Sequence, residues 1–164
     1  MILDILTEPN PFLFRKAAAV SAADLKKPET RKFLDDLAET MVAKDGVGLS
    51  ATQTGVDARI IAIRATYNPF DPKKELVIAN PVWEKVSGEK VYGEEGCLSV
   101  PGIYGQVKRY KKIKVSGLAP DGKKIGFTAE DFLARIIQHE VDHLDGILFI
   151  SKAKDLYRPE ENKS

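Results

Sequence analysis

Apolar residues recur along this chain with two different periods, and the switches between them mark its elements. From Pro28 the positions Phe33, Leu34, Leu37, Met41 and Val42 fall at helical spacing. Pro28 suits a first turn and Gly46 a stop, so the pattern predicts an amphipathic helix of about four turns. After Gly55 the period shortens. Arg59 to Ile63 and Leu76 to Ala79 are β-branched runs separated by Asn68-Pro69-Phe70-Asp71-Pro72, which predicts two strands and a surface loop. Lys112 to Ser116 and Lys124 to Phe127 alternate about the turn Pro120-Asp121-Gly122, giving a hairpin with one buried face and one lysine face.

The helical stripe then returns. Thr128 is a good N-cap with Asp131 three residues on, and Phe132, Leu133, Ile136, Ile137, Val141 and Leu144 continue one face to Gly146. Ile147 to Ile150 reads as one further short strand, and residues 152–164, polar and containing Pro159, as a loosely ordered tail. Leu6 to Val20 reads as an irregular arm followed by a short helical or extended piece. Strands in hairpins with two main helices predict an α+β fold, mostly antiparallel, in a single domain spanning 1–164.

Composition narrows the picture by exclusion. At 164 residues, 43% hydrophobic and 30% charged, the chain is long enough to bury a core without disulfides. A net charge of +1 gives no reason to propose nucleic acid or an acidic membrane as partner. No apolar stretch approaches the ~20 residues of a membrane span, and the opening Met1 to Glu8 carries acids where a signal peptide is basic and then apolar. A cytoplasmic protein is expected. The single cysteine, Cys97, is a buried small hydrophobe, a reactive thiol or a metal ligand.

The chemistry concentrates in the second predicted helix. His139-Glu140-Val141-Asp142-His143 matches H-E-x-x-H and contains both histidines of the chain. Residues four apart on a helix share a face, so both imidazoles can reach one metal ion while Glu140 addresses a water beside it. Polar rings on a core-facing stripe need partners, and a metal would satisfy both. A hydrolytic site of this kind takes three protein ligands and keeps an open position. No histidine follows His143, whereas Cys97 stands upstream in the Gly- and Pro-bounded segment Glu94 to Pro101 and is the candidate third ligand. A zinc endopeptidase and a purely structural metal clamp are the competing readings at this point. Gly46-Val47-Gly48-Leu49-Ser50-Ala51-Thr52-Gln53 taken alone is only a helix exit and a turn.

Together, Gly46 to Gln53, Glu95 to Ser99 and His139 to His143 resemble, in order and spacing, the three marks of the peptide deformylases: G-x-G-L-A-A-x-Q, E-G-C-L-S and H-E-x-D-H. The resemblance implies antiparallel sheets packed around a central metal-binding helix. It implies one divalent metal on Cys97, His139 and His143, Fe2+ in the cell with Zn2+, Ni2+ or Co2+ as substitutes. The implied substrate is the N-formyl group of initiator methionine on nascent polypeptides, released as formate. In this scheme Glu140 accepts and returns the proton, while Gln53 and the backbone N–H of Leu98 receive the oxyanion. Gly48 would let the backbone approach the substrate, and Val47, Leu98, Ile136 and Tyr104 would form the methionine pocket. Glu95 orienting a nearby arginine such as Arg109, and Asp142 fixing a loop or helix contact, stand level with being solvated acids. A monomer is expected, in transient contact with the ribosome; an organellar origin after loss of a transit peptide is the alternative to the expected cytoplasm.

Three positions depart from the family pattern. Ser50 replaces a usual alanine, adding a hydroxyl without disturbing Gln53. Ala19 stands where proline is common, which bears on the path of the arm. The chain after Ile150 is short for the terminal helix by which some bacterial members attach to the ribosome.

Overall fold

The computed structural model describes residues 1–159. Eight strands and three α-helices follow one another as α1 (Ala22–Leu25), α2 (Pro28–Ala43), β1 (Gly48–Ser50), β2 (Ile60–Ile63), β3 (Leu76–Lys85), β4 (Lys90–Cys97), β5 (Val100–Tyr110), β6 (Lys112–Leu118), β7 (Lys124–Glu130), α3 (Asp131–Leu144) and β8 (Lys154–Tyr157). Every strand pairing is antiparallel, in a five-stranded sheet ordered β1-β2-β3-β6-β7 and a three-stranded sheet ordered β4-β5-β8. The expected α+β class with antiparallel sheets around the H-E-x-D-H helix is what the chain adopts.

Alternation explains the layers. On β2, Ile61 and Ile63 join Ile78, Ile113, Val115, Ile137 and Val141 in a core between the larger sheet and α3. Ile60 and Ala62 point the other way, into a second core with Leu34, Leu37 and Met41 of α2. A third cluster, Leu13, Val100, Val107, Leu148 and Phe149, seals the smaller sheet against the chain leaving α3. Helix α3 therefore lies between the sheets, with every residue from Ala134 to Leu144 buried. No helix among the described residues is long and apolar enough to cross a membrane.

Several expectations are corrected. Thr128 is not an N-cap: it lies in β7 opposite Lys114, pairing runs on to Glu130 opposite Lys112, and α3 starts only at Asp131. Ladder hydrogen bonds to β6 outweigh a local capping pattern there. Ile147 to Ile150 is not a strand; Phe149–Ser151 form a 3-10 turn that buries Phe149. Gly102 to Gln106, which carries Tyr104, lies inside β5, and neither β4 nor β5 is predicted by the hydrophobic pattern. The tail is ordered where it matters, because Lys154–Tyr157 pair with β5 as β8. Residues 160–164 of that tail lie outside the described residues.

Candidate metal centre

Three segments distant in sequence meet at the buried face of α3. His139 and His143 are 8% and 1% exposed, one helical turn apart, with their Nε2 atoms 3.2 Å from each other. Cys97, the last residue of β4, brings its Sγ to 3.2 Å from His143 Nε2. The ligand atoms of the three residues lie within 4.8 Å of one another.

Hydrogen bonding fixes which atoms face inward. Glu95 Oε1 lies 2.7 Å from His139 Nδ1, so the proton of a neutral ring sits on Nδ1 and the Nε2 lone pair is left facing Cys97 and His143. Facing electron-pair donors make a poor contact by themselves and a good coordination shell. Two imidazoles and a thiolate suit a borderline first-row divalent ion, and the donor set fits a metal site. Among the described residues, the buried atoms Glu140 Oε1 and His143 Nδ1 have no hydrogen-bond partner.

Glu95 itself is deeply anchored. It accepts Nε of Arg109 at 2.9 Å and NH2 of the same side chain at 2.9 Å, together with NH1 of Arg135 at 2.7 Å. Arg109 reaches on to Asp142 at 2.6 Å, and Lys152 approaches Asp142 from outside at 3.0 Å. Burial alone would raise the Glu95 carboxyl, but the bonds from Arg109 and His139 hold it well below the usual carboxylate range. The pairing of Glu95 with Arg109 is thus present, and Asp142 fixes α3 to Arg109 of β5 and to Lys152 of the loop after α3. Arg135 was not anticipated; an arginine within a stripe of buried residues was the signal that an acid must lie opposite.

Glu140 has the opposite environment. Burial away from any direct ion pair pushes its carboxyl up to about 7, a value suited to taking and returning a proton near neutrality. Gly48 of β1 comes so close that a Cβ there would lie 2.7 Å from Glu140 Oε2 and 2.9 Å from Ile136 Cγ2. The missing side chain makes room for the glutamate.

Gln53 sits in the 3-10 turn Ala51–Thr54 directly after β1. Its Oε1 accepts from the Ser50 backbone N–H at 3.0 Å and from the Ser50 hydroxyl at 3.1 Å. That orients Nε2 toward Ser99 Oγ at 3.0 Å and Cys97 Sγ at 3.5 Å. The N-terminal arm braces both segments, with Leu6 N–H donating to Gln53 O at 2.7 Å and Glu8 N–H to Ser99 O at 2.8 Å. Leu98 begins the tight turn from β4 to β5 and packs on Gly46. The residues expected to bind substrate, Val47, Gly48, Leu98, Tyr104 and Ile136, share one cavity of about 430 Å³ with Gln53, Cys97, His139 and Glu140, while His143 stands behind the others.

An antiparallel fold closed around a helix that turns two histidines and a poised glutamate toward a cysteine defines a metal-dependent hydrolase class. Comparison with known proteins narrows that class. The polypeptide deformylase family model matches residues 2–159, and the chain belongs to this family of enzymes, which remove the formyl group from nascent peptides. It is 46% identical over 156 residues to a peptide deformylase of Symbiobacterium thermophilum, covering 94% of this chain and 68% of that protein. Peptide deformylase 2 of Bordetella bronchiseptica is 45% identical over 160 residues, covering 95% and 90%. The Met-Ala-Ser-bound crystal structure of the class I type b peptide deformylase from Acinetobacter baumannii superposes with a TM-score of 0.85 at 37% identity, covering 93% of this chain and 98% of that one.

Proposed function

We propose that this chain deformylates formyl-methionyl peptides with Cys97, His139 and His143 as metal ligands and Glu140 as the proton carrier. The observation that carries this reading is the meeting of one sulfur and two ring nitrogens within 4.8 Å, on the cavity that also holds Glu140. A divalent ion there supplies Lewis acidity, lowering the pKa of water and polarising the formyl carbonyl. Fe2+ is the proposed ion in the cell.

The chain's own groups do the rest. Glu140, held near 7, takes a proton from the attacking water and hands it to the amine nitrogen as the C–N bond breaks, so that formate and a free amino terminus leave. Gln53 Nε2, whose contact to Cys97 Sγ is long at 3.5 Å, has an N–H to turn toward the carbonyl oxygen as negative charge develops on it. The Leu98 backbone N–H is the second donor in this scheme. Val47, Ile136 and Tyr104 offer apolar walls to the methionine side chain.

The test is formate release from formyl-Met-Ala-Ser by protein purified and assayed without oxygen, with metal analysis of the same sample. Glu140→Ala should lose about 10²- to 10⁴-fold in kcat while keeping its metal. Full activity in that variant would remove Glu140 from the reaction.

A further inference from the structure

The last strand ends against the wall of the cavity. Tyr157 of β8 stands opposite Tyr104 of β5, their rings 6.0 Å apart and tilted by 34°. The Tyr157 hydroxyl donates to the Glu94 carboxylate, which holds the phenol above its ordinary pKa and so keeps it a donor. Tyr104 and Glu94 both line the cavity. The Tyr104 ring packs closely on Gly96 of β4, the residue before Cys97, since a Cβ there would lie 2.5 Å from its Cε1. Both partners of Tyr157 are thus wall residues near Cys97: Glu94 stands three residues before it on β4, and Tyr104 pairs with Gly96, its neighbour.

We infer that Tyr157 is a positioning residue for peptide recognition: by fixing Tyr104 and Glu94 it presents a set wall to the substrate, so the C-terminal strand governs affinity. The inference rests on the reaction proposed for this cavity. Restraining side chains before binding lowers the ordering cost that binding would otherwise carry. Tyr157 bonds to none of Cys97, His139, His143 or Glu140, so its influence belongs to KM rather than to the bond-breaking step.

The experiment compares Tyr157→Ala and Tyr157→Phe with the wild type. It measures KM and kcat on formyl-Met-Ala-Ser and the calorimetric Kd of the product peptide Met-Ala-Ser. In Tyr157→Ala both KM and Kd should rise roughly three- to tenfold, from the release of two side chains, with a smaller change in kcat. Tyr157→Phe, which keeps the ring against Tyr104 and loses the bond to Glu94, should show a rise in KM and Kd between wild type and Tyr157→Ala. Unchanged KM and Kd in Tyr157→Ala, or a loss carried by kcat, overturns the inference. Because product binding needs no turnover, a protein that releases no formate yet binds Met-Ala-Ser more weakly as Tyr157→Ala sinks the proposed reaction and leaves this inference standing. If circular dichroism shows that Tyr157→Ala does not fold, Tyr157→Leu decides the matter, and wild-type binding in that variant overturns the inference.

Discussion

Ser50 adds a hydroxyl where alanine is usual in the family pattern, and that hydroxyl is not idle. It donates to Gln53 Oε1 beside the backbone N–H of the same residue, so the amide is held by two bonds and its Nε2 is aimed into the site. Ser50→Ala removes one of them. The loss is about 1 kcal/mol, or roughly fivefold in kcat/KM if it falls wholly on the transition state, and formate release measures it. Glu95 carries a different prediction. Its folded pKa is depressed below the ordinary value of about 4.3, so its stabilisation is fully present above that value and is lost as the pH falls through the folded pKa. In the metal-free protein Glu95→Gln should therefore flatten the decline of Tm between about pH 5 and pH 3, as well as lowering Tm at neutrality. A Tm profile parallel to wild type would contradict this. The histidine pair, Glu140 and Cys97 were legible in the sequence because helical spacing and a missing ligand point at them. The Arg135–Glu95 bond was not, because a buried arginine signals that an acid lies opposite while a pairing across 40 residues gives no local sign of which acid.

At the scale of elements, β4 and β5 escaped sequence reading because their glycines are needed by side chains from elsewhere. Gly93, Gly96, Gly102 and Gly105 break the β-branched alternation of β4 and β5 and read as turns. Yet the Arg135 guanidinium lies against Gly93, where a Cβ would be 2.7 Å from its central carbon. That guanidinium cannot easily step aside, since it is bonded to Glu95, the Val107 carbonyl and the Val91 carbonyl. Gly93→Ala should cost about 1–3 kcal/mol by overpacking, read as a lower urea midpoint with an unchanged m-value. Helix α2 and the β6–β7 hairpin were legible because their periods are uninterrupted. The start of α3 was not, because the winning contact, β7 on β6, is made by residues whose local pattern favours a cap.

Over the whole molecule, the candidate metal ligands come from both layers of the fold: Cys97 ends a strand of the smaller sheet, while His139 and His143 belong to the helix packed on the larger one. An ion bound there ties the two together only in the folded state, so it adds stability by mass action, about 2.7 kcal/mol at a free concentration of 100 times Kd. Chelation should lower Tm by several degrees in the wild type and leave Cys97→Ala nearly unmoved, as scanning calorimetry would record. The junction of β7 and α3 has a mechanical side. Glu130 is the last residue of the strand and Asp131, at φ +54°, the first of the helix, so the chain turns within one peptide unit. With a sheet fused to its first turn and a core around its remainder, α3 has no hinge on which to swing. Slow opening belongs to the periphery, and the two imidazoles ride on the part of the protein that moves as one body.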